Sequence, residues 1–165
     1  MIELWSEIPS FENYSISNYG AVRNSRGDLL STGRNQQGVL YVQLWRGGKP
    51  YNRAIAPIVA NAFLQEPPHH SWDTPIHLNG NRVDVSVENL MWRPRWFAID
   101  YHQQILLASQ NKVRDVLTRE ADTIKAMCMR FGLLPAKVFE QAADYTNEIH
   151  SIFGVWPTGQ MFEFV

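Results

Sequence analysis

Residues 76–92 read Ile-His-Leu-Asn-Gly-Asn-Arg-Val-Asp-Val-Ser-Val-Glu-Asn-Leu-Met-Trp, and no other stretch constrains the fold as tightly. A histidine, His77, stands at the end of a short apolar strand. The Asn79-Gly80-Asn81 run is a strong turn signal, because Asn and Gly both tolerate tight backbone reversals. Glu88-Asn89-Leu90-Met91-Trp92 then leads to a helix that begins near Pro94. A strand end, a turn and the start of a helix follow within about twenty residues.

The chain before this stretch reads as short strands and turns. Residues 39–45 are rich in β-branched and aromatic side chains, which suits a strand. Arg46-Gly47-Gly48-Lys49-Pro50 is a turn, and residues 51–55 return as a hairpin partner. Upstream, Tyr14-Ser15-Ile16-Ser17 looks like another strand, closed by Asn18-Tyr19-Gly20; Ala21 to Asn24 follow, and then a turn at Asn24-Ser25-Arg26-Gly27-Asp28. Residues 57–64 read as a short helix with Pro57 in its first turn. Residues 65–75 are a Pro-rich connection, residues 99–149 a mostly helical pattern, and residues 154–165 a terminal turn and strand.

Composition narrows the function classes. The net charge is −1, so any nucleic-acid surface must gather its cations on one face. The first half carries Arg23, Arg26, Arg34, Arg46, Lys49 and Arg53 against fewer acids. The second half leans acidic, with Asp100, Asp115, Glu120, Asp122, Glu140, Asp144, Glu148 and Glu163. One cysteine, Cys128, excludes an internal disulfide and a four-thiolate zinc site. No apolar run approaches the ~18 residues of a membrane span, and the amino terminus lacks the pattern of a signal peptide. A cytoplasmic protein is expected.

Trp5, Ile8-Pro9, Tyr14, Ile16-Ser17-Asn18, Gly20, Val22 and Arg23 resemble the nuclease-associated modular domain that fronts many HNH homing endonucleases. The likeness covers residues 3–24 and continues loosely through residues 38–42. On the residues alone, the same segment is a small β-meander whose Ser, Asn and Gly form turns.

The stretch that follows resembles the HNH core of the same family. That core runs H-R-L-V-A-x-A-F, then N-H-I-D-G-N, then x-E-N-L-x-W. Residues 56–63 match the first element, with Ala56 where the family has His and Pro57 where it has Arg. Residues 76–81 match the second, with Ile76 replacing Asn or Asp and Asn79 replacing Asp. Glu88 to Trp92 match the third in full. The resemblance implies a general base at His77, an orienting Asn89, and one divalent ion held by the residue before His77 and by a residue on the following helix. That helical position falls on Ala98.

Neither Ile76 nor Ala98 has a side-chain donor for the Mg2+ or Mn2+ of an active enzyme. Impaired or absent cleavage is expected. A rearranged site using Asn79 and His102 is the alternative, with His102 one helical turn beyond Ala98. Taken singly, His77 is also an ordinary packed or surface histidine, and Asn89 a group that ties its loop to the backbone. Trp92 reads as core, His69-His70 as solvated surface, and Cys128 as a small buried packing group.

Residues 118–147 resemble the helix-turn-helix appended to such endonucleases. Cys128 is the small residue of the first helix, Gly132 the turn, Pro135 the start of the second helix, and Val138 lies within it. Met127, Phe131 and Leu133 are the apolar residues around that turn. A recognition helix over 136–145 would present Lys137 and Gln141 to the major groove. A plain helical hairpin or a protein-binding acidic surface fits the same residues.

An α+β protein is therefore expected: a β-rich module over 1–55, an HNH-type ββα core over 56–105, and a helical region over 106–165. The expected function is DNA binding by a degenerate, phage-encoded relative of the homing endonucleases. Arg23, Arg26, Arg46, Lys49, Arg53, Arg82, Arg93 and Arg95 are the candidate phosphate contacts. An active metal-dependent nuclease, and a protein-interaction or inhibitor module on the same scaffold, are the other readings.

Overall fold

The computed structural model describes residues 2–146 and 162–165. The chain divides into two compact units, Met1–His77 with Asn81–Arg95, and Leu78–Gly80 with Trp96–Val165. Helix and sheet are mixed throughout, an α+β architecture.

The first unit opens with an antiparallel meander of β1 (Trp5–Ile8), β2 (Phe11–Ser17) and β3 (Val22–Asn24). A second three-stranded sheet follows, in the order β4 (Thr32–Arg34), β5 (Leu40–Arg46) and β6 (Lys49–Ala54). The expected hairpin is present, with Leu44 opposite Tyr51 and Arg46 opposite Lys49. Helix α1 (Ile55–Phe63) comes next, with Pro57 in its first turn, where a missing N–H breaks no helical bond. Strands β7 (Thr74–His77) and β8 (Leu90–Arg93) close the unit as an antiparallel pair.

One core joins these pieces. Ile16 and Val22 from the meander meet Val42 and Leu44 from the second sheet and Ile55, Val59 and Ala60 from α1. Val85, Leu90 and Trp92 complete it. Burying each aliphatic side chain of this kind contributes roughly 1.5–3 kcal/mol.

The turn between β2 and β3 is built from Ser17-Asn18-Tyr19-Gly20. The Ser17 hydroxyl oxygen accepts from the N–H groups of Tyr19 and Ala21, at 3.3 and 3.1 Å. The Asn18 side chain accepts from Leu4 N–H at 2.8 Å and donates to Ile2 C=O at 3.3 Å, holding the segment that leads into β1. Val87 N–H donates to the Asn18 carbonyl at 2.9 Å. Gly20 takes φ +87°, and a Cβ there would stand 2.2 Å from Val85 Cγ2. The turn is thus the seat on which residues 85–87 rest.

In the second unit, α2 (Arg95–Gln104) begins beside Pro94 as expected, and one further turn of 3-10 helix covers Ile105–Leu107. The helical expectation for residues 99–149 is then corrected. Strands β9 (Lys112–Asp115) and β10 (Ala121–Thr123) form a hairpin, and β11 (Phe162–Phe164) pairs with β9. These strands are three or four residues long, and Val113 is the one large apolar residue in the first. Periodicity cannot speak over so short a span. Helices α3 (Ile124–Phe131) and α4 (Pro135–Thr146) follow the hairpin. Thr123 caps α3 by accepting from Ala126 N–H, and Gly132 ends it in the left-handed conformation. Ile124, Met127, Cys128, Leu133 and Val138 are fully buried around this turn. Burial pushes the Cys128 thiol up to about 12. Of the expected terminal turn and strand, residues 154–161 lie outside the described residues.

Gly20→Ala places a methyl group against Val85 in a backbone conformation that L-residues rarely adopt. It is expected to cost about 2–4 kcal/mol, read as a lowered urea midpoint with an unchanged slope.

Candidate functional site

His77 is the last residue of β7, opposite Leu90 in the register with β8. It is buried. Ile76 precedes it, opposite Met91, and is fully buried at 0% exposure. The loop from 81 to 89 is held by side chains that bond back to its own backbone. Asn89 donates from Nδ2 to Asp84 C=O at 2.7 Å. The Asp84 carboxylate accepts from the Ser86 hydroxyl at 2.6 Å, and Asn81 Oδ1 from Val83 N–H at 3.3 Å. Asn89 is therefore the brace of this loop, which delivers Val85 to the core and Leu90 to the strand opposite His77.

Residues 78–80 are braced separately, within the second unit. The Tyr101 hydroxyl donates to Leu78 C=O at 2.7 Å. Gly80 has φ +76°, and a Cβ there would stand 2.8 Å from both Ile105 Cγ2 and Leu106 Cδ2. Tyr101 is fully buried and stacks on Phe97 with ring centroids 6.2 Å apart. Ala98 lies on α2 between these two aromatic residues and is 4% exposed. Asn79 sits in the braced turn, and His102 is half-buried on the next position of α2 after Tyr101. Among the described residues, no three His, Cys, Asp or Glu side chains stand together as a metal-holding group. Ile76 and Ala98, the two positions at which the resemblance implies ion ligands, carry only carbon and offer no side-chain donor to an ion.

The candidate cations occupy different settings. Residues directly opposite in an antiparallel pair share a face. Arg46, Lys49 and Arg53 therefore lie on one face of the β5–β6 hairpin with Leu44 and Tyr51, at its solvent rim. The Arg46 guanidinium stands 5.1 Å from the Phe11 ring centroid and 5.0 Å from that of Tyr51; Arg53 stands 5.6 and 5.2 Å from the same rings. These aromatic faces order two cations side by side. Arg23 lies over Trp5 at 4.0 Å, and Arg26 pairs with Asp28 at 3.2 Å. Arg82 donates to Gln37 C=O at 3.2 Å, and Arg95 is exposed at the start of α2. Arg93 departs from the surface position expected of it. It is 3% exposed, donates to Trp92 C=O at 2.8 Å and covers the Trp72 ring at 4.8 Å. The aromatic partner lies in the Pro-rich connection, which no periodic signal links to β8.

In α4, Lys137 is exposed and pairs with Glu140 at 2.7 Å, while Gln141 accepts from Phe162 N–H at 3.0 Å. The carboxylate of Glu120 is taken by Arg130. Glu148 lies outside the described residues. His69 and His70 stack with centroids 4.5 Å apart on an exposed loop.

Residues 3–45 match the NUMOD4 motif. The chain is 33% identical over 97 residues to an uncharacterized HNH endonuclease, L247, of Acanthamoeba polyphaga mimivirus. That alignment covers 54% of this chain and 23% of the relative. A second protein of the same virus, the uncharacterized HNH endonuclease L245, is 28% identical over 92 residues, covering 56% and 27%. The chain thus spans about a quarter of the length of these curated relatives. The structure of the HNH homing endonuclease I-HmuI, solved to describe its DNA binding and cleavage, superposes with a TM-score of 0.53. Identity there is 22%, with 98% of each chain covered. The fold is that of an HNH endonuclease fronted by a NUMOD4 motif. Motif, relatives and fold thus all point to similarity with HNH endonucleases.

Asn89→Ala leaves the half-buried Asp84 carbonyl without its amide donor and is expected to cost about 1–2 kcal/mol. Chemical denaturation measures this, and a loss below about 0.5 kcal/mol would deny Asn89 its bracing role.

Proposed function

We propose that this chain binds duplex DNA and that cleavage by the family's metal-dependent route is impaired. The observation that carries the second half is chemical. Ile76 and Ala98 are buried hydrocarbon side chains at the two positions where the family resemblance expects an ion's oxygen donors. Without the ion, phosphodiester cleavage loses several kcal/mol of charge stabilisation at the phosphate. His77 keeps the imidazole of a general base, and Asn89 keeps its orienting place, so the scaffold outlives the chemistry.

DNA binding rests on the similarity to HNH endonucleases and on the ordered cations of the β5–β6 hairpin. Arg46, Lys49 and Arg53 offer three positive charges on one rim, two of them held over aromatic rings. Such an array suits successive phosphates. We further propose that the three segments divide the work. The module over 1–55 grips the duplex, the segment over 56–105 carries the remnant nuclease core, and that over 106–165 docks through α3 and α4 as a helix-turn-helix. A phage origin and a site of action in the host cytoplasm belong to the same proposal. No helix among the described residues is long and apolar enough to cross a membrane.

Two measurements test this. Affinity for a duplex fragment is expected to fall linearly on a log–log plot against salt, and replacing Arg46, Lys49 or Arg53 singly by Gln is expected to flatten the slope by about 1 each. Salt-insensitive or absent retardation would instead support a protein partner. Supercoiled plasmid with magnesium or manganese is expected to stay intact. Nicking that disappears in His77→Ala would restore the active-nuclease reading, with Asn79 and His102 as replacement ligands.

A further inference from the structure

The hairpin that carries the ordered arginines also forms one wall of a small groove. Ser10, Glu12 and Asn13, from the β1–β2 turn and the start of β2, face Trp45 and Arg46 across a space of about 250 Å³. This lies below the ~300–1,000 Å³ of pockets that enclose a drug-sized molecule, so it suits a single planar group. All of these residues lie within the first unit.

Three features set the groove apart from ordinary surface. Trp45 is 52% exposed at the end of β5, with its N–H held by the Tyr14 hydroxyl at 3.3 Å, so a large ring stands open on a fixed backbone. Arg46 is held from three sides: Phe11 and Tyr51 lie within 5.1 Å of its guanidinium carbon, and its Nη1 donates to Ser10 C=O at 3.4 Å. A guanidinium ordered in advance loses little freedom on meeting a planar or anionic group. Glu12 and Asn13 add a carboxylate, which only accepts hydrogen bonds, and an amide, which does both.

An indole face, an ordered cation and a mixed donor–acceptor edge match the three parts of a nucleotide: base face, phosphate and base edge. Resting on the DNA-binding reading, the geometry points to this groove as a receptor for one unstacked nucleotide, at a bulge, gap or strand end of the bound DNA. The base stacks on Trp45, the adjoining phosphate meets Arg46, and Glu12 accepts from an exocyclic amino group, which cytosine has and thymine lacks. A nucleotide kept within an intact duplex already has its two faces stacked and gains nothing from the indole.

The test compares three probes of one sequence by fluorescence anisotropy: an intact duplex, the same duplex with one bulged cytosine, and the same with an abasic site in the bulge. Stacking of one base is expected to favour the bulged cytosine over the abasic probe by about 5- to 150-fold. Trp45→Ala is expected to collapse that ratio to within about twofold, while Trp45→Phe, which keeps a ring, retains most of it. Equal affinity of the wild-type protein for the base-bearing and abasic bulges overturns the inference, as does an undiminished ratio in Trp45→Ala. Binding of all three probes with the same affinity leaves the DNA-binding reading standing and removes only the groove. Failure to bind any of them removes both.

Discussion

The first unit depends on one close approach. Gly20 has no side chain, and the space this leaves is filled by Val85. Two residues on, Val87 bonds to the Asn18 carbonyl of the same turn. Through these contacts the amino-terminal meander holds the loop that precedes β8. That loop in turn sets Leu90 opposite His77. The Ile-Ser-Asn-x-Gly run, which lies within the NUMOD4 match, thereby acquires a physical meaning. Ser17 ties the turn, Asn18 ties the leading segment and receives the loop, and Gly20 admits it.

Hydrogen bonds within the chain and hydrocarbon packing hold this part of the scaffold. The loop from 81 to 89 is braced by its own amide, carboxylate and hydroxyl groups, and the core beneath it is hydrocarbon. Residues 78–80 are braced by Tyr101 in the second unit. On the proposed reading, having Ile and Ala where oxygen donors are expected is compatible with the fold. Burying a carbon side chain adds apolar contact, whereas burying a carboxylate without its cation is costly. On the proposed reading, the same substitutions that remove the chemistry leave the architecture no weaker.

Most of the first unit was legible along the chain. The β5–β6 hairpin, the Pro57 helix and the turn at Asn18 to Gly20 all carry local signals: alternation, a proline at a helix start, and turn-forming residues in sequence. The second unit was less open to reading. Gly132 and Pro135 marked the junction of α3 and α4 correctly, because caps are local. Strands β9 and β10 carry no such signal, because β11, which pairs with β9, lies about fifty residues away and each strand has a single apolar residue.

The amino-acid sequence determined the match to the NUMOD4 motif over residues 3–45, the element types around the Asn-Gly-Asn turn, and the carbon-only character of Ile76 and Ala98. These are properties of residue identity and near spacing, and they survive without coordinates. The tertiary structure alone decided which cations stand at a surface. Arg93 is consumed by Trp72, while Arg46 and Arg53 are ordered over Phe11 and Tyr51. It alone brought Glu12 and Asn13 across from Trp45. The reason is common to both cases. A guanidinium's role depends on which ring or carbonyl lies within about 3–6 Å of it, and those partners come from strands and loops that only folding brings together.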